Sequence, residues 1–190
     1  MTSWLRLAGR GRLPDGSTLV WSVAEGGRGR RWRAESLNAA RAVVRAVLLE
    51  AGLDGRPARL EVSSAAGMLT LHPEPDGRSA HGNVVAANGV RPLALPWSAE
   101  HEIVVAGTPL GELVALHRLA TRVGVGEGVA MPVLVVGEDL AVREERRVMR
   151  RVTASRWTID DGGTGTMIDV DERGIPAGLG DAAEWPLEES

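Results

Sequence analysis

The residues most able to do chemistry lie in the stretch LHPEPDGRSAH, which contains His72, Glu74, Asp76 and His81. A metal site of the cupin type needs two histidines one residue apart on one strand face, with a glutamate shortly after them. This stretch lacks that spacing, and its two prolines and its Pro-Asp-Gly sequence are typical of the end of a β-hairpin. We therefore predict no metal site here.

The other two histidines are weaker candidates for catalysis. His101 follows Ser-Ala-Glu at the start of a predicted strand and could act as a base, but no Ser or Asp accompanies it in a recognisable motif. His117 lies in a leucine-rich segment, where a histidine is more often packed or surface-exposed than catalytic. The glycine-rich stretches match neither the P-loop motif G-x-x-x-x-G-K-[ST] nor a G-x-G-x-x-G motif that opens a helix after a strand. The chain also has no lysine, which the P-loop requires. We predict no catalytic residue and no cofactor, and the sequence favours a binding protein over an enzyme.

The spacing Asp169, Asp171, Gly174 resembles the opening of a calcium loop. In such a loop beginning at Asp169, the fifth position would carry an oxygen ligand and the twelfth a bidentate glutamate. Arg173 and Gly180 stand at those positions. The same residues fit a tight turn between the strands TMIDV and IPAGL, with glycine in the left-handed position.

Arginine and tryptophan provide the possible ligand contacts. Arginines cluster in RGRRWR and RRVMRR and could bind an anionic headgroup, but a solvated outer face paired with nearby acids explains them more simply. The six tryptophans are the only aromatic residues. Trp21 and Trp157 suit a core, whereas Trp32 and Trp97 are expected near the rim of a ligand site. Arg118 is expected beside a polar headgroup or fixed in the core by an acidic partner. The candidate ligand-binding residues are therefore Trp32, Trp97, His101 and Arg118.

Composition limits the class of protein. The 190 residues are 44% hydrophobic, which is sufficient for one domain over residues 1–190, with residues 186–190 as a flexible tail. The net charge of -3 argues against a nucleic-acid partner. No apolar run has the length of a transmembrane segment, and the first residues lack the pattern of a signal peptide. We expect a soluble, cytoplasmic protein.

Periodicity predicts many strands and two helices. The segment 36–51 has apolar residues at helical spacing, a possible N-cap at Ser36 and a stop at Gly52, and it predicts a long helix. Thr108 and Pro109 predict the N-cap and first position of a shorter helix that extends towards Leu119. Short extended segments separated by turn residues predict strands elsewhere, including RRVMRRVT. The charges of the run DLAVREERRVMRR, which overlaps this strand, would also suit an exposed helix.

These elements predict an α+β fold that is mainly β. The expected architecture is a curved, many-stranded antiparallel sheet, a half-barrel or β-roll, with one long and one short helix. The concave face of such a sheet is either open to a ligand or filled by residues 36–51.

The order of motifs from Met68 onward resembles a bacterial family of glycolipid-binding proteins. The resemblance is carried by LTLHPEPDG, by HEIVVAGTPLGELVALHRL with Thr108, Pro109 and Arg118, and by the final segment IDVDERGIPAGLGDAAEWP. It implies a long antiparallel sheet wrapped into a spiral or half-barrel. It also implies binding of a lipid-like or glycolipid-like amphiphile without an established reaction.

Three functional hypotheses follow. The first is a non-catalytic protein that holds an amphiphilic small molecule in the concave face of the sheet. The second is an interaction or scaffold domain whose trough is filled by its own helix. The third is a small histidine-dependent hydrolase or isomerase that uses His101 or the group from His72 to His81.

Overall fold

The computed structural model of the protein describes residues 5–13, 15–163, 165–179 and 187–188. Strands and one helix make up most of this part of the chain. None of its helices is long and apolar enough to cross a membrane. Trp4 and Trp185 lie outside the described residues, as does most of the predicted tail apart from Leu187–Glu188.

The first sheet has nine strands, and each is antiparallel to its neighbours. Its strands are β1 (Leu5–Arg12), β2 (Thr18–Gly26), β3 (Gly29–Leu37), β4 (Val43–Ala51), β5 (Pro57–Ser64), β6 (Gly67–Pro73), β7 (Ser79–Ala86), β8 (Gly89–Pro96) and β15 (Leu187–Glu188). Strands β1 to β8 follow one another as successive hairpins, and β15 pairs with the outer edge of β1. Short turns between consecutive strands account for this order, because antiparallel neighbours need only a tight connection.

The strands of this sheet alternate between a buried and an exposed face. In β3, Trp32 and Ala34 are buried, whereas Arg31, Arg33 and Glu35 are exposed. This period of two is typical of an antiparallel sheet with one face on the core.

The second sheet has six strands and contains a parallel pair. Its strands are β9 (Glu102–Val105), β10 (Gly128–Val136), β11 (Val142–Arg151), β12 (Arg156–Asp160), β13 (Thr166–Val170) and β14 (Pro176–Leu179). The helix α1 (Leu110–Leu119) lies between β9 and β10 in the chain. Two parallel neighbours need a crossover connection, and α1 provides it.

Helix α1 fills the concave side of the curved sheets. Nine of its ten residues are buried, His117 being the exception. On one side Gly111 lies against β9, where an added Cβ would come within 2.1 Å of the carbonyl oxygen of Ile103. On the other side the helix contacts β4 of the first sheet. A helix that is buried all round belongs to a core, so the concave face is occupied by this helix.

The prediction of a long helix over 36–51 is wrong. These residues form the end of β3, a turn and strand β4. The Asn38 side chain accepts hydrogen bonds from the backbone N–H groups of Ala40 and Ala42, which stabilises the turn. Within β4, Val47, Leu49 and Ala51 are buried at alternate positions. The spacing of the apolar residues fits the period of a helix as well as that of a strand. The segment forms a strand because it pairs with β3 on one side and with β5 on the other.

The shorter helix and the remaining strands are confirmed, with two local corrections. Helix α1 begins at Leu110 with Pro109 in the N-cap position and no side-chain cap. The Thr108 hydroxyl donates instead to the carbonyl oxygen of Val105, at 3.4 Å. The strand in HEIVVAG is present but pairs in parallel, through β10. The strand predicted in RRVMRRVT is present as part of β11, which extends from Val142 to Arg151.

Candidate functional site

Trp32 lies in the core and not at a rim. Its side chain is fully buried, and its ring stands 5.8 Å from that of Trp21, between centroids. It therefore supports the packing of β2 on β3 and offers no surface to a ligand.

Arg118 has an acidic partner in the core, which is one of the two alternatives that the sequence allows. Its Nε donates to Glu102 Oε1 at 2.7 Å, and both side chains are buried between α1 and β9. Burial raises the pKa of Glu102 to about 7, and the positive charge of Arg118 offsets only part of this effect. The pair joins the helix to the strand, so Arg118 does not face a ligand.

Trp97 and His101 lie together at the turn between β8 and β9. Their rings are stacked with 5.2 Å between centroids. His101 Nδ1 accepts from the backbone N–H of Ser98 at 2.9 Å and lies 2.8 Å from the Ser98 hydroxyl oxygen. His101 Nε2 stands 3.7 Å from a carboxylate oxygen of Glu144.

This Ser-His-Glu arrangement contains the residue types of a hydrolase, but its geometry is that of a closed turn. The backbone N–H of His101 donates to the Ser98 carbonyl oxygen, at 3.1 Å. Nδ1 already accepts a hydrogen bond from the backbone N–H of Ser98, so its lone pair is not free to take the proton of the Ser98 hydroxyl. We assign His101 and Trp97 to the packing of this turn.

The remaining histidine pair and the acidic loop show no metal geometry. His72 and His81 stand opposite each other on β6 and β7, and both are exposed. Across the described residues, no three His, Asp or Glu side chains are grouped so that they could hold a metal ion. Glu74 and Asp76 lie in the turn between the two strands.

Asp169 lies on β13, and Asp171 to Gly174 form the hairpin turn that the sequence predicts. Both carboxylate oxygens of Asp169 accept from Arg156, at 2.9 Å each. Asp171 accepts from the backbone N–H groups of Arg173 and Ile175, and Gly174 has a φ of 74°. These carboxylates are therefore engaged within the protein.

An open space lies at one end of the sheets, around the N-terminus of α1. Turns from both sheets meet there, namely those between β1 and β2, β3 and β4, β5 and β6, β9 and α1, β10 and β11, and β12 and β13. They surround two neighbouring cavities of about 630 Å³ and about 400 Å³, which share Leu13, Asp15, Gly107 and Glu138 in their walls. Small-molecule sites typically have volumes of roughly 300–1,000 Å³.

We call the second cavity, between Leu13 and Ile168, the mouth groove. Its apolar lining consists of Leu13, Pro109, Ile159 and Ile168. Its charged lining consists of Asp15, Glu112, Glu138, Asp161 and Arg147. An apolar wall with a few polar groups at one place is typical of a binding site for a small molecule.

Glu112 and Arg147 form a buried ion pair in the wall of the mouth groove. Arg147 Nη1 donates to Glu112 Oε1 at 2.6 Å, and Arg147 Nη2 lies 3.8 Å from Glu145 Oε2. Glu112 Oε2 has no hydrogen-bond partner among the described residues, and the same holds for Arg147 Nε. Burial raises the pKa of Glu112, and the nearby Asp161 adds to this shift, while Arg147 opposes it. The pair thus has unused hydrogen-bonding capacity beside an open cavity.

The opposite end of the sheets is nearly closed. There a cavity of about 60 Å³ lies between Arg30, Gly55 and His117. Arg30 donates to the carbonyl oxygen of Arg173 at 2.6 Å, which joins the two sheets. Burial lowers the pKa of His117. The small volume excludes the closed end as a ligand site. The mouth groove is preferred to its larger neighbour because it combines an apolar wall with the Glu112–Arg147 pair.

Sequence reasoning missed the mouth groove. Glu112 and Arg147 are 35 positions apart, and only the pairing of β10 with β11 brings Arg147 to α1. One signal was available in the sequence. Glu112 lies in the first turn of a leucine-rich helix, so an acidic group among apolar residues could have been noted as a candidate. None of the four residues predicted to contact a ligand lines the mouth groove.

The comparisons with known proteins bear on the fold. A crystal structure of a DUF1089 family protein from Pseudomonas aeruginosa is similar to this chain, with a TM-score of 0.56 and 20% sequence identity. The similarity covers 94% of this chain and 90% of the other. No family model and no curated protein matches the sequence. At this level of identity, the similarity shows a shared fold.

Proposed function

We propose that the protein is a non-catalytic binding protein for an amphiphilic small molecule, which it holds in the mouth groove. Because α1 occupies the concave face, the ligand lies at the open end of the sheets and not along the trough. The observation that carries the proposal is the mouth groove itself, with apolar walls and a buried, partly unpaired Glu112. The resemblance to the glycolipid-binding family supports the same class of ligand.

The chemistry of the groove fits an amphiphile better than a wholly polar ligand. The apolar wall of the groove can contact the first methylene groups of an alkyl chain; it consists of Leu13, Pro109, Ile159 and Ile168. Each methylene group that is fully buried contributes about 0.8 kcal/mol to binding. The charged residues of the groove can contact a headgroup. A chain of ordinary length would leave the groove at its open side, so only its first part needs protein contacts.

The test is a binding assay with dodecyl amphiphiles of different headgroups, used below their micelle concentrations. The variant Thr166→Trp places a large ring in the groove wall, whereas Met167→Trp places it at the next position of β13, which does not line the groove. Both positions are exposed, so both variants should fold.

We expect at least one amphiphile to bind the parent protein and Met167→Trp by calorimetry, and to bind Thr166→Trp at least about tenfold more weakly, a loss of about 1.4 kcal/mol. The absence of binding by every headgroup, or equal binding to both variants, would refute the proposal.

A second candidate is an interaction domain, and a separate observation favours it. Met68, Val85 and Val90 stand opposite one another on β6, β7 and β8, and all three are substantially exposed. The row ends at β8, which is the edge of the sheet. Light scattering of the parent protein and of Val90→Asp tests this candidate. A concentration-dependent dimer that Val90→Asp abolishes would support it, and a monomer in both cases would oppose self-association.

A further inference from the structure

We propose that the mouth groove selects amphiphiles with a primary ammonium headgroup, which donates a hydrogen bond to Glu112 Oε2 within a ring of carboxylates. This inference rests on the proposed function, because it specifies the ligand of the same site. It goes further by assigning a positive charge to the headgroup.

The first argument is the charge of the lining. Four carboxylates, from Asp15, Glu112, Glu138 and Asp161, face the groove with one guanidinium, that of Arg147. The whole chain carries 25 acidic and 22 basic residues, so the lining is far more acidic than the protein as a whole. Asp15, Glu138 and Asp161 are exposed and come from three separate turns. A concave site lined by one sign of charge attracts ligands of the opposite sign.

The second and independent argument is the unpaired oxygen of Glu112. The residue is only 9% exposed, and its Oε2 has no partner in the described part of the chain. A buried carboxylate oxygen without a donor carries a cost, because it has lost its hydrogen bonds to water without gaining a partner. A ligand that brings an N–H donor to this atom removes that cost. An ammonium group also brings a positive charge, which offsets the negative charges of the three neighbouring carboxylates.

Arg147 does not change the sign of the site. Its guanidinium is shared between Glu112 and Glu145, at 2.6 Å and 3.8 Å. A phosphate or sulfate headgroup would find only the buried Nε of Arg147 without a partner in the described part of the chain, and it would approach Asp15, Glu138 and Asp161. Like charges at such distances are unfavourable, so an anionic headgroup is disfavoured.

The electrostatics of Glu112 agree with this assignment. Its pKa is raised by burial and further by the charge of Asp161, so the two carboxyl groups are close enough to interact. A cation between them would stabilise both ionised forms. The groups that face Glu112 are Asp161 from the turn after β12 and Arg147 from β11, and Asp15 and Glu138 line the same groove from their turns.

The experiment compares four probes with one dodecyl chain: the primary amine, the trimethylammonium salt, the maltoside and the sulfate. The amine has charge and N–H donors, the trimethylammonium has charge alone, the maltoside is neutral, and the sulfate is anionic. Affinities are measured by calorimetry on the parent protein and on the double variant Asp161→Asn/Glu138→Gln. Glu172→Gln, in the turn at the opposite end of the second sheet, is the matched control.

We expect the amine to bind at least about tenfold more tightly than the maltoside, with the trimethylammonium salt between them and the sulfate weakest. The double variant should lose about tenfold for the amine and change little for the maltoside, and Glu172→Gln should resemble the parent. Raising the salt concentration from about 0.05 M to about 0.5 M should weaken amine binding, because salt screens the exposed carboxylates of Asp15, Glu138 and Asp161.

The outcomes separate this inference from the proposed function. If the maltoside or the sulfate binds as tightly as the amine, or the double variant leaves amine binding unchanged, the ammonium assignment is wrong and the amphiphile site stands. If the amine and the trimethylammonium salt bind equally, the donor to Glu112 is wrong. If no probe binds, the proposed function itself fails.

Discussion

At the scale of single residues, two buried glutamates have different surroundings. Glu102 is fully buried and paired with Arg118 inside the core. Glu112 pairs with Arg147 at the wall of an open groove. Burial raises the pKa of both carboxyl groups. In both residues Oε2 has no hydrogen-bond partner among the described residues. The difference between them is that Glu102 lies in the closed core, whereas Glu112 lies in the wall of an open groove.

The pKa of Glu102 gives a prediction on stability. A folded-state pKa raised from 4.5 to about 7 means that the folded protein binds the proton more tightly than the unfolded chain. The resulting contribution is present at low pH and is lost as the pH rises through about 7. We expect the parent to lose stability between pH 4.5 and about pH 7 relative to Glu102→Gln, by up to about 3 kcal/mol.

Urea denaturation across this pH range measures the difference. Glu172→Gln, which removes an exposed carboxyl group, is the control and should follow the parent. Parallel stability curves for the parent and Glu102→Gln would show that Glu102 is ionised in the folded protein throughout.

At the scale of elements, the position of α1 depends on Gly111. Alanine is the better helix former by about 1 kcal/mol, so helix propensity alone predicts that Gly111→Ala stabilises the protein. Its Cβ would lie 2.1 Å from the carbonyl oxygen of Ile103, which is far inside van der Waals contact. We expect Gly111→Ala to destabilise the protein by at least about 2 kcal/mol, because the helix must move away from β9.

Thermal and denaturant unfolding test this, with Gly124→Ala as the control. At Gly124 the nearest atoms to an added Cβ belong to the flexible Glu127 side chain. That variant should change the stability little. An unchanged or higher stability of Gly111→Ala would mean that α1 is not packed as closely on β9 as the structure shows.

At the scale of the whole molecule, arginine side chains connect the two sheets at both ends. Arg30 reaches the carbonyl oxygen of Arg173 at the closed end. Arg45, on β4, donates to the carbonyl oxygen of Ala106, next to the mouth groove. These contacts join elements that share no strand pairing.

We expect Arg45→Met to destabilise the protein by about 1–2 kcal/mol, since a half-buried carbonyl loses its charged donor. Hydrogen exchange should rise in residues 104–110, around the entrance of the mouth groove. Arg31→Met, which breaks an exposed pair with Glu50, should cost about 0.5 kcal/mol or less. Equal exchange in the two variants would mean that Arg45 does not hold the sheets together.

Much of the fold could be predicted from local signals. The hairpins from Arg59 to Pro96 follow from alternating apolar residues and from turns at Gly67, Pro-Asp-Gly and Asn-Gly. The closing hairpin at Asp171 to Gly174 follows from a glycine that has a positive φ. Such signals depend on the backbone preferences of a few neighbouring residues, so they are readable from the sequence.

The candidate site could not be predicted in the same way. For Arg118, the residues allowed either a ligand contact or a buried partner, and the position of Glu102 on β9 decided for the partner. The rim position expected for Trp32 failed because alternation in β3 turns this side chain towards the core.

The sequence by itself determined a mainly β, antiparallel fold with a short helix after Pro109, because turns, alternation and helix starts are encoded over a few residues. Tertiary structure alone decided that 43–51 is a strand, that α1 fills the concave face, and that Glu112 meets Arg147 beside a groove. The physical reason is that Val47 and Leu49 fit either a helix or a strand, and only pairing with β3 and β5 separates the two. A site that is lined by four turns likewise exists only when both sheets are assembled.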